Sequence, residues 1–244
     1  MSGIEHGTNQ SYSGQRSDAP LRLAVLISGS GSNLQALIDA IENQQLPGVE
    51  IALVISNKAH AYGLQRALKH KLPVAYIPWK KREEAEEKIA SLIQLFQADL
   101  VVLAGWMRIL SANFTAQFPQ RMINLHPALL PDDGRDTYTT SDGSIIPALR
   151  GLHVVEQALE RGIKVTGSTV HYVIPEVDAG PVIGRAEITI EEGDTADSLH
   201  EKLKIQEHRL IVEAVRAHSQ HPPCSGSTCR CDLSVSETLR DGST

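Results

Sequence analysis

The sequence predicts a mostly parallel, doubly wound α/β sheet of the Rossmann-like kind, extended by antiparallel strands and closed by a long helix. Three observations carry this. Between residues 23 and 125, short apolar runs alternate with segments of helical period, the rhythm of repeated βα units. The first run, Leu23-Ala24-Val25-Leu26-Ile27, is apolar at every position, as expected of a strand covered on both faces. Beyond residue 164 the period becomes two, and the patterned region ends in a long helix.

The elements follow in order. Residues 32–41 place Leu34, Leu37, Ile38 and Ile41 at helical spacing. Residues 51–55 form a second strand, 63–70 a short helix and 74–77 a third strand. Residues 80–96 make a charged helix with Ala85, Ile89, Leu92, Ile93 and Phe96 on one face. Residues 100–103 are the fourth strand, Ser111 is suited to N-cap the next helix, and 122–125 are the fifth strand. Residues 152–160 are helical, with Gly162 fit to end that helix. Segments 165–174 and 182–190 alternate as an antiparallel pair, and 195–218 form the closing helix. One stretch breaks the rhythm. Residues 132–147 are polar, punctuated by Asp-Gly, Thr-Thr and Ser-Asp-Gly, and read as a loop without regular structure, a mobile surface excursion. The expected organisation is one domain over 21–218, carrying this inserted loop at 132–150. Polar segments at 1–20 and 219–244 show no hydrophobic period and read as disordered.

Composition narrows the partners. The formal charge is −6, from 23 Lys and Arg against 29 Asp and Glu. No global basic field therefore favours nucleic acid or an anionic membrane. No apolar run approaches the roughly 18 residues of a membrane span, and residues 1–20 lack a signal-peptide core. The expectation is a cytoplasmic protein, monomeric or homodimeric, with small-molecule partners only. Cys224, Cys229 and Cys231 all lie in the tail, so the folded region has no disulfide. With His221 they loosely resemble a metal cluster, but paired C-x-x-C units are missing, and no metal is expected.

Two segments carry chemistry. Gly29-Ser30-Gly31-Ser32-Asn33 joins a buried strand to a helix. Its glycines allow a tight turn and close backbone approach, and the helix N-terminus favours an anion. It is neither a dinucleotide fingerprint nor a lysine-bearing P-loop, and taken alone it also fits a plain turn. Asn124-Leu125-His126-Pro127 lies at the C-terminal end of the fifth strand, and Asp178 answers it about fifty residues on. An amide, an imidazole and a carboxylate are the groups that acyl-type transfer uses to hold an oxyanion and move a proton. Spacing alone leaves open a turn cap, a packed histidine and an Asp-Ala-Gly turn. Gly105-Trp106-Met107-Arg108-Ile109-Leu110 could line a slot for a flat heterocycle or be ordinary packing. His171 and Glu207 are each readable as site residues, or as a cross-strand partner and a solvated charge.

Seven segments in order resemble the phosphoribosylglycinamide formyltransferases, the folate-dependent formyltransferase family of purine synthesis. They are the glycine loop with Asn33-Leu34-Gln35, Ser56-Asn57-Lys58-Ala59, Gly105-Trp106-Met107-Arg108-Ile109-Leu110, Asn124-Leu125-His126-Pro127-Ala128-Leu129-Leu130-Pro131, Gly151-Leu152-His153, Asp178-Ala179-Gly180-Pro181 and Gln206-Glu207-His208. The resemblance runs from about Leu21 to His218. It implies a Rossmann-like formyltransferase sheet, with Asn124, His126 and Asp178 carrying catalysis. It implies that Gly29, Ser30, Gly31, Ser32 and Asn33 hold a ribonucleotide phosphate, that Glu207 binds the ribose hydroxyls, and that His171 lies near the same substrate. Met107, Arg108, Ile109, Leu110 and Val177 would line the folate pocket, with Arg82 near the folate's glutamate tail. The formyl donor would be 10-formyltetrahydrofolate, acting without a metal.

Two departures stand out. The family passes from Leu-Leu-Pro to the next glycine within a few residues, whereas residues 132–150 intervene here. Trp106 stands where the family often has a smaller or different aromatic. The rival readings are a formyltetrahydrofolate hydrolase, a transfer-RNA formyltransferase and a non-catalytic folate or nucleotide module. The glycine loop argues against the first, the lack of a basic surface against the second, and the acid–base set against the third.

Overall fold

The computed structural model describes residues 19–220. The cysteine-bearing segment with His221, and most of the N-terminal segment, lie outside the described residues. Five βα-type strands build the first part of the sheet: β1 (Leu21–Ile27), β2 (Val49–Ser56), β3 (Val74–Tyr76), β4 (Leu100–Leu103) and β5 (Met122–His126). Between them run α1 (Ser32–Glu42), α2 (Tyr62–Lys69), α3 (Arg82–Leu95) and the single turn α4 (Ala112–Thr115). A hairpin, β6 (Thr137–Thr139) and β7 (Ile145–Pro147), precedes α5 (Val154–Glu160). The antiparallel strands β8 (Val165–Tyr172) and β9 (Val182–Thr189) follow, then α6 (Ala196–Gln220).

The seven-stranded sheet has the order β3-β2-β1-β4-β5-β8-β9. Pairing is parallel from β3 to β5 and antiparallel from β5 through β9. The chain thus reverses its order after β3, at the β1–β4 junction, where an open α/β sheet leaves a crevice beyond its carboxyl ends. Both faces are covered. Leu23, Val25 and Ile27 pack with α1, α2 and α6, while Ala24 and Leu26 pack with α3 and α4. Period-two alternation sends neighbouring residues to opposite faces, so an all-apolar β1 satisfies both cores.

Local chemistry sets the ends of the elements. The Ser111 hydroxyl accepts the Phe114 N–H and caps α4, and its own N–H donates to buried Glu86. Gly162, at φ +64, ends α5 in the left-handed conformation. α5 begins at Val154 rather than 152 because His153 adopts φ +60 and cannot belong to the helix.

The stretch read from sequence as a loop without regular structure is instead a β-hairpin, with Tyr138 opposite Ile146. The Ser-Asp-Gly punctuation is its turn, where Gly143 sits at φ +85 and Thr140 N–H donates to the Ser144 carbonyl. Strand β9 holds the hairpin down. Tyr138 Oη donates to Glu187 at 3.0 Å, the Ser141 N–H donates to the same carboxylate, and Arg185 stacks on the Tyr138 ring. Ile146 and Leu149 are buried, so the polar stretch hides two apolar anchors.

His218 near the end of α6 is buried against Tyr172, whose hydroxyl lies 3.0 Å from its Nδ1. Burial lowers its pKa to about 4. Unfolded, the same imidazole takes its proton near 6.5. Between these values the unfolded chain binds the extra proton, so this group's contribution is complete above pH 6.5 and is lost as pH falls toward 4. We expect the urea midpoint to drop over that window by up to about 3 kcal/mol in stability from this site. A His218→Gln variant should show a visibly flatter pH dependence of the midpoint. An unchanged slope would show that His218 is not the group responsible.

Candidate active site

The loop leaving β1 is shaped by close approach. Gly31 sits at φ +69, and a Cβ there would lie 2.5 Å from the Gly63 Cα at the start of α2. No side chain fits, which explains the second glycine of the loop. Gly29 has nothing within 4 Å of where a Cβ would be, so its backbone faces open space. Ser28 ties the neighbourhood together, donating to Asn57 Oδ1 at 2.7 Å and accepting the Met107 N–H at 2.9 Å. The ends of β1 and β2 and the loop after β4 therefore meet at one edge.

Asn124 and His126 are two residues apart on β5 and so share one face. The β5–β8 register sets His171 directly opposite Asn124. After β8 the chain turns back sharply: Tyr172 N–H donates to the Pro181 carbonyl, and a Cβ on Gly180 would fall 1.8 Å from the Tyr172 oxygen. That return carries Asp178 over the pair with φ +51, a left-handed conformation that aspartate adopts more readily than most residues. Asp178 Oδ2 lies 3.5 Å from His126 Nδ1 and accepts the Gly151 N–H at 2.8 Å. Asp178 Oδ1 lies 3.4 Å from His171 Nε2 and accepts from Asn124 Nδ2 at 3.4 Å. Asn124 Nδ2 also stands 3.3 Å from His171 Nε2.

Two backbone carbonyls decide where the histidine protons are. His126 Nε2 is 2.8 Å from the Leu149 oxygen, and His171 Nδ1 is 2.9 Å from the Tyr172 oxygen. A carbonyl only accepts, so each of these nitrogens bears the hydrogen. The remaining nitrogens, Nδ1 of His126 and Nε2 of His171, both face the Asp178 carboxylate, where a proton on either is held by it. Two ring nitrogens and a carboxylate thus converge on one point, groups among which a proton can move. Burial pushes the His126 pKa down, and the Asp178 charge and the Leu149 carbonyl only partly offset it. Burial also pushes Asp178 up, but the two imidazoles and the Gly151 N–H outweigh it and hold the carboxyl below its usual range. Asp178 is therefore ionised and His126 largely neutral at pH 7.

A cavity of about 440 Å³ opens over this edge, within the range of small-molecule sites. Of the residues singled out from sequence, Asn33, Met107, Arg108, Ile109, Leu110, Asn124, His126, His171, Val177, Asp178 and Glu207 line it. Gly29, Ser30, Gly31 and Ser32 lie beside the cavity at the end of β1 rather than in its wall. Arg82 begins α3 and is not part of the wall. Glu207 is no solvated charge. It is buried on α6, accepts from Asn33 Nδ2 at 3.1 Å and from Ser168 Oγ at 3.4 Å, and burial raises its pKa. Asn33 Oδ1 is buried with no partner, leaving an acceptor beside that carboxylate for a hydroxyl donor. Sequence reasoning missed the Leu149 carbonyl and His200, and it had no role for the Gly151 N–H. The first and last are backbone groups with no side-chain signature, and His200 lies about two turns before Glu207 on α6, outside any motif.

The chain belongs to the formyl transferase family, whose model matches residues 21–215. Its relatives within that family include phosphoribosylglycinamide formyltransferases. It is 37% identical over 193 residues to the enzyme of that name from Escherichia coli K12, covering 78% of this chain and 83% of the relative. It is 40% identical over 198 residues to the Homo sapiens trifunctional purine biosynthetic protein adenosine-3, covering 80% of this chain. The match takes in only 18% of that human protein, so this chain spans less than a fifth of its length. The crystal structure of glycinamide ribonucleotide transformylase 1 from Symbiobacterium toebii aligns with a TM-score of 0.72 at 36% identity, covering 88% of this chain and 93% of that one. Among the described residues, no helix is long and apolar enough to cross a membrane.

The return that carries Asp178 depends on Gly180. Gly180→Ala should destabilise the protein by about 2 kcal/mol or more, because backbone must move to clear the Tyr172 oxygen. Chemical denaturation reads this directly, and wild-type stability would show that the turn relaxes freely.

Proposed function

We propose that this chain transfers the formyl group of 10-formyltetrahydrofolate to the amine of glycinamide ribonucleotide. The products are formylglycinamide ribonucleotide and tetrahydrofolate, and the step belongs to purine biosynthesis. The observation that carries the proposal is the meeting of Asn124, His126 and Asp178 at the carboxyl edge of the sheet, next to the glycine loop. The reading carries with it a cytoplasmic compartment and two small-molecule substrates.

The residues divide the work. The loop from Gly29 to Asn33 holds the substrate phosphate through backbone N–H groups and the α1 N-terminus, where open space at Gly29 admits a ligand. Glu207, with Asn33 beside it, takes the ribose hydroxyls. The half-exposed side chains Met107, Ile109 and Val177 give the folate ring an apolar wall. The amine attacks the formyl carbon, a C–N bond forms, and the carbonyl electrons move to oxygen. Asn124 donates to that oxyanion. Its contacts to His171 and Asp178, at 3.3 and 3.4 Å, are long enough for a better acceptor to displace them. His126, once protonated at Nδ1, adds positive charge while Asp178 steadies it. Collapse breaks the bond to the folate N10, and the proton lost by the amine passes by way of Asp178 to that nitrogen.

The test is a formyl-transfer assay with 10-formyl-5,8-dideazafolate, run with and without glycinamide ribonucleotide. Turnover that requires the nucleotide supports the transferase, and deformylation without it assigns a hydrolase. Asn124→Ala should lower kcat on the order of a hundredfold or more, the usual cost of losing one oxyanion donor. Near-normal turnover in that variant, or in Asp178→Asn, would remove these residues from the mechanism.

A further inference from the structure

We infer that Arg150 is a positioning residue, and that through it the inserted hairpin sets the geometry of the Asn124, His126 and Asp178 centre. This rests on the reading proposed above. Residues 149–151, where the hairpin rejoins the main fold, each hold part of that centre. The Leu149 carbonyl accepts from His126 Nε2 at 2.8 Å, and the Gly151 N–H donates to Asp178 Oδ2 at 2.8 Å. Between them, Arg150 Nε donates to the Asp178 carbonyl at 3.3 Å.

The same guanidinium closes the neck of the hairpin. Its Nη2 donates to the Gly134 and Arg135 carbonyls at 3.0 and 2.6 Å, and its Nη1 lies 3.4 Å from Asp136 Oδ1. A planar five-donor group spans these acceptors in a way that an ammonium does not. At its far side the hairpin is fastened to β9 through Glu187, which takes Tyr138 and Ser141, and through Arg185, which pairs with Asp132. The strut therefore runs from β9 through the hairpin to the backbone of Asp178. Arg150 is not part of the cavity wall, so it acts on substrate only through the groups it holds. The backbone of Asp178 stands at φ +51, which needs such external support.

The experiment compares wild type, Arg150→Lys and Arg150→Ala in the full chain. It measures kcat, both KM values, melting temperature and the NMR titration of the His126 ring. The titratable and charged groups facing His126 are Asp178, His171 and Arg150, and of these Asp178 exerts the largest effect. Drift of Asp178 away from His126 therefore lowers the titration midpoint, and as the larger effect it outweighs the rise that losing the Arg150 charge brings by itself. Arg150→Ala should reduce kcat about ten- to a hundredfold, as misplacement by about an ångström does. Both KM values should stay within about twofold, and the His126 midpoint should fall. Added guanidinium, below denaturing concentration, should restore part of kcat, and Arg150→Lys should fall between the two. Unchanged kcat with an unchanged or raised His126 midpoint would overturn the inference. So would a joint loss of kcat, affinity and melting temperature that guanidinium does not relieve. If wild type itself transfers no formyl group, the functional reading fails, and the His126 midpoint alone judges Arg150: a fall supports it and no fall overturns it.

Discussion

The site depends on keeping one ionised carboxylate, Asp178, out of water. A buried carboxylate is costly unless its lone pairs are satisfied. Here three parts of the chain meet it: Asn124 from β5 and the Gly151 N–H beyond the hairpin donate to it, and the His126 ring of β5 and the His171 ring of β8 face it. Each partner is fixed by something further out. The Leu149 and Tyr172 carbonyls set the two ring tautomers, and the tight return at Gly180 sets the position of the aspartate itself. Removing any one of these leaves a buried charge less well paired.

The sheet supplies the frame. Its two faces are filled by α1, α2 and α6 on one side and by α3 and α4 on the other. The cavity opens at the carboxyl edge, where such a sheet receives a ligand. A buried parallel strand cannot easily shift its register, because a slip by one residue would turn every side chain to the wrong face. Asn124 and His126 are therefore held to one face, and β8 is held opposite them with His171 in place. Catalytic geometry of this kind needs precision, and a doubly covered sheet provides it.

The inserted hairpin looks peripheral along the chain but is central in space. Its outer residues are solvent-exposed, including Ile145, while Ile146 and Leu149 are buried. The residues just beyond its second strand, Leu149 and Gly151, supply two backbone groups to the site. A long insertion adds little closure entropy, so a hairpin tied to β9 is an inexpensive way to brace a loop that sits in an unfavourable conformation.

Much of the fold was legible in the sequence because its signals are local. All-apolar runs marked β1 and β4, helical spacing marked α1 and α3, and Ser111 and Gly162 marked helix ends through their own cap chemistry. The hairpin was not legible, because its polar residues pair with β9 rather than with a hydrophobic period of their own. Asn124, His126 and Asp178 stood out as chemistry through their types and order. Their convergence, the histidine tautomers and the burial of Glu207 were decided by tertiary structure alone. Periodicity reports the environment of neighbours along the chain. The distance between residues fifty apart depends on strand register, on a left-handed backbone at Asp178 and on carbonyls that leave no trace in side-chain sequence.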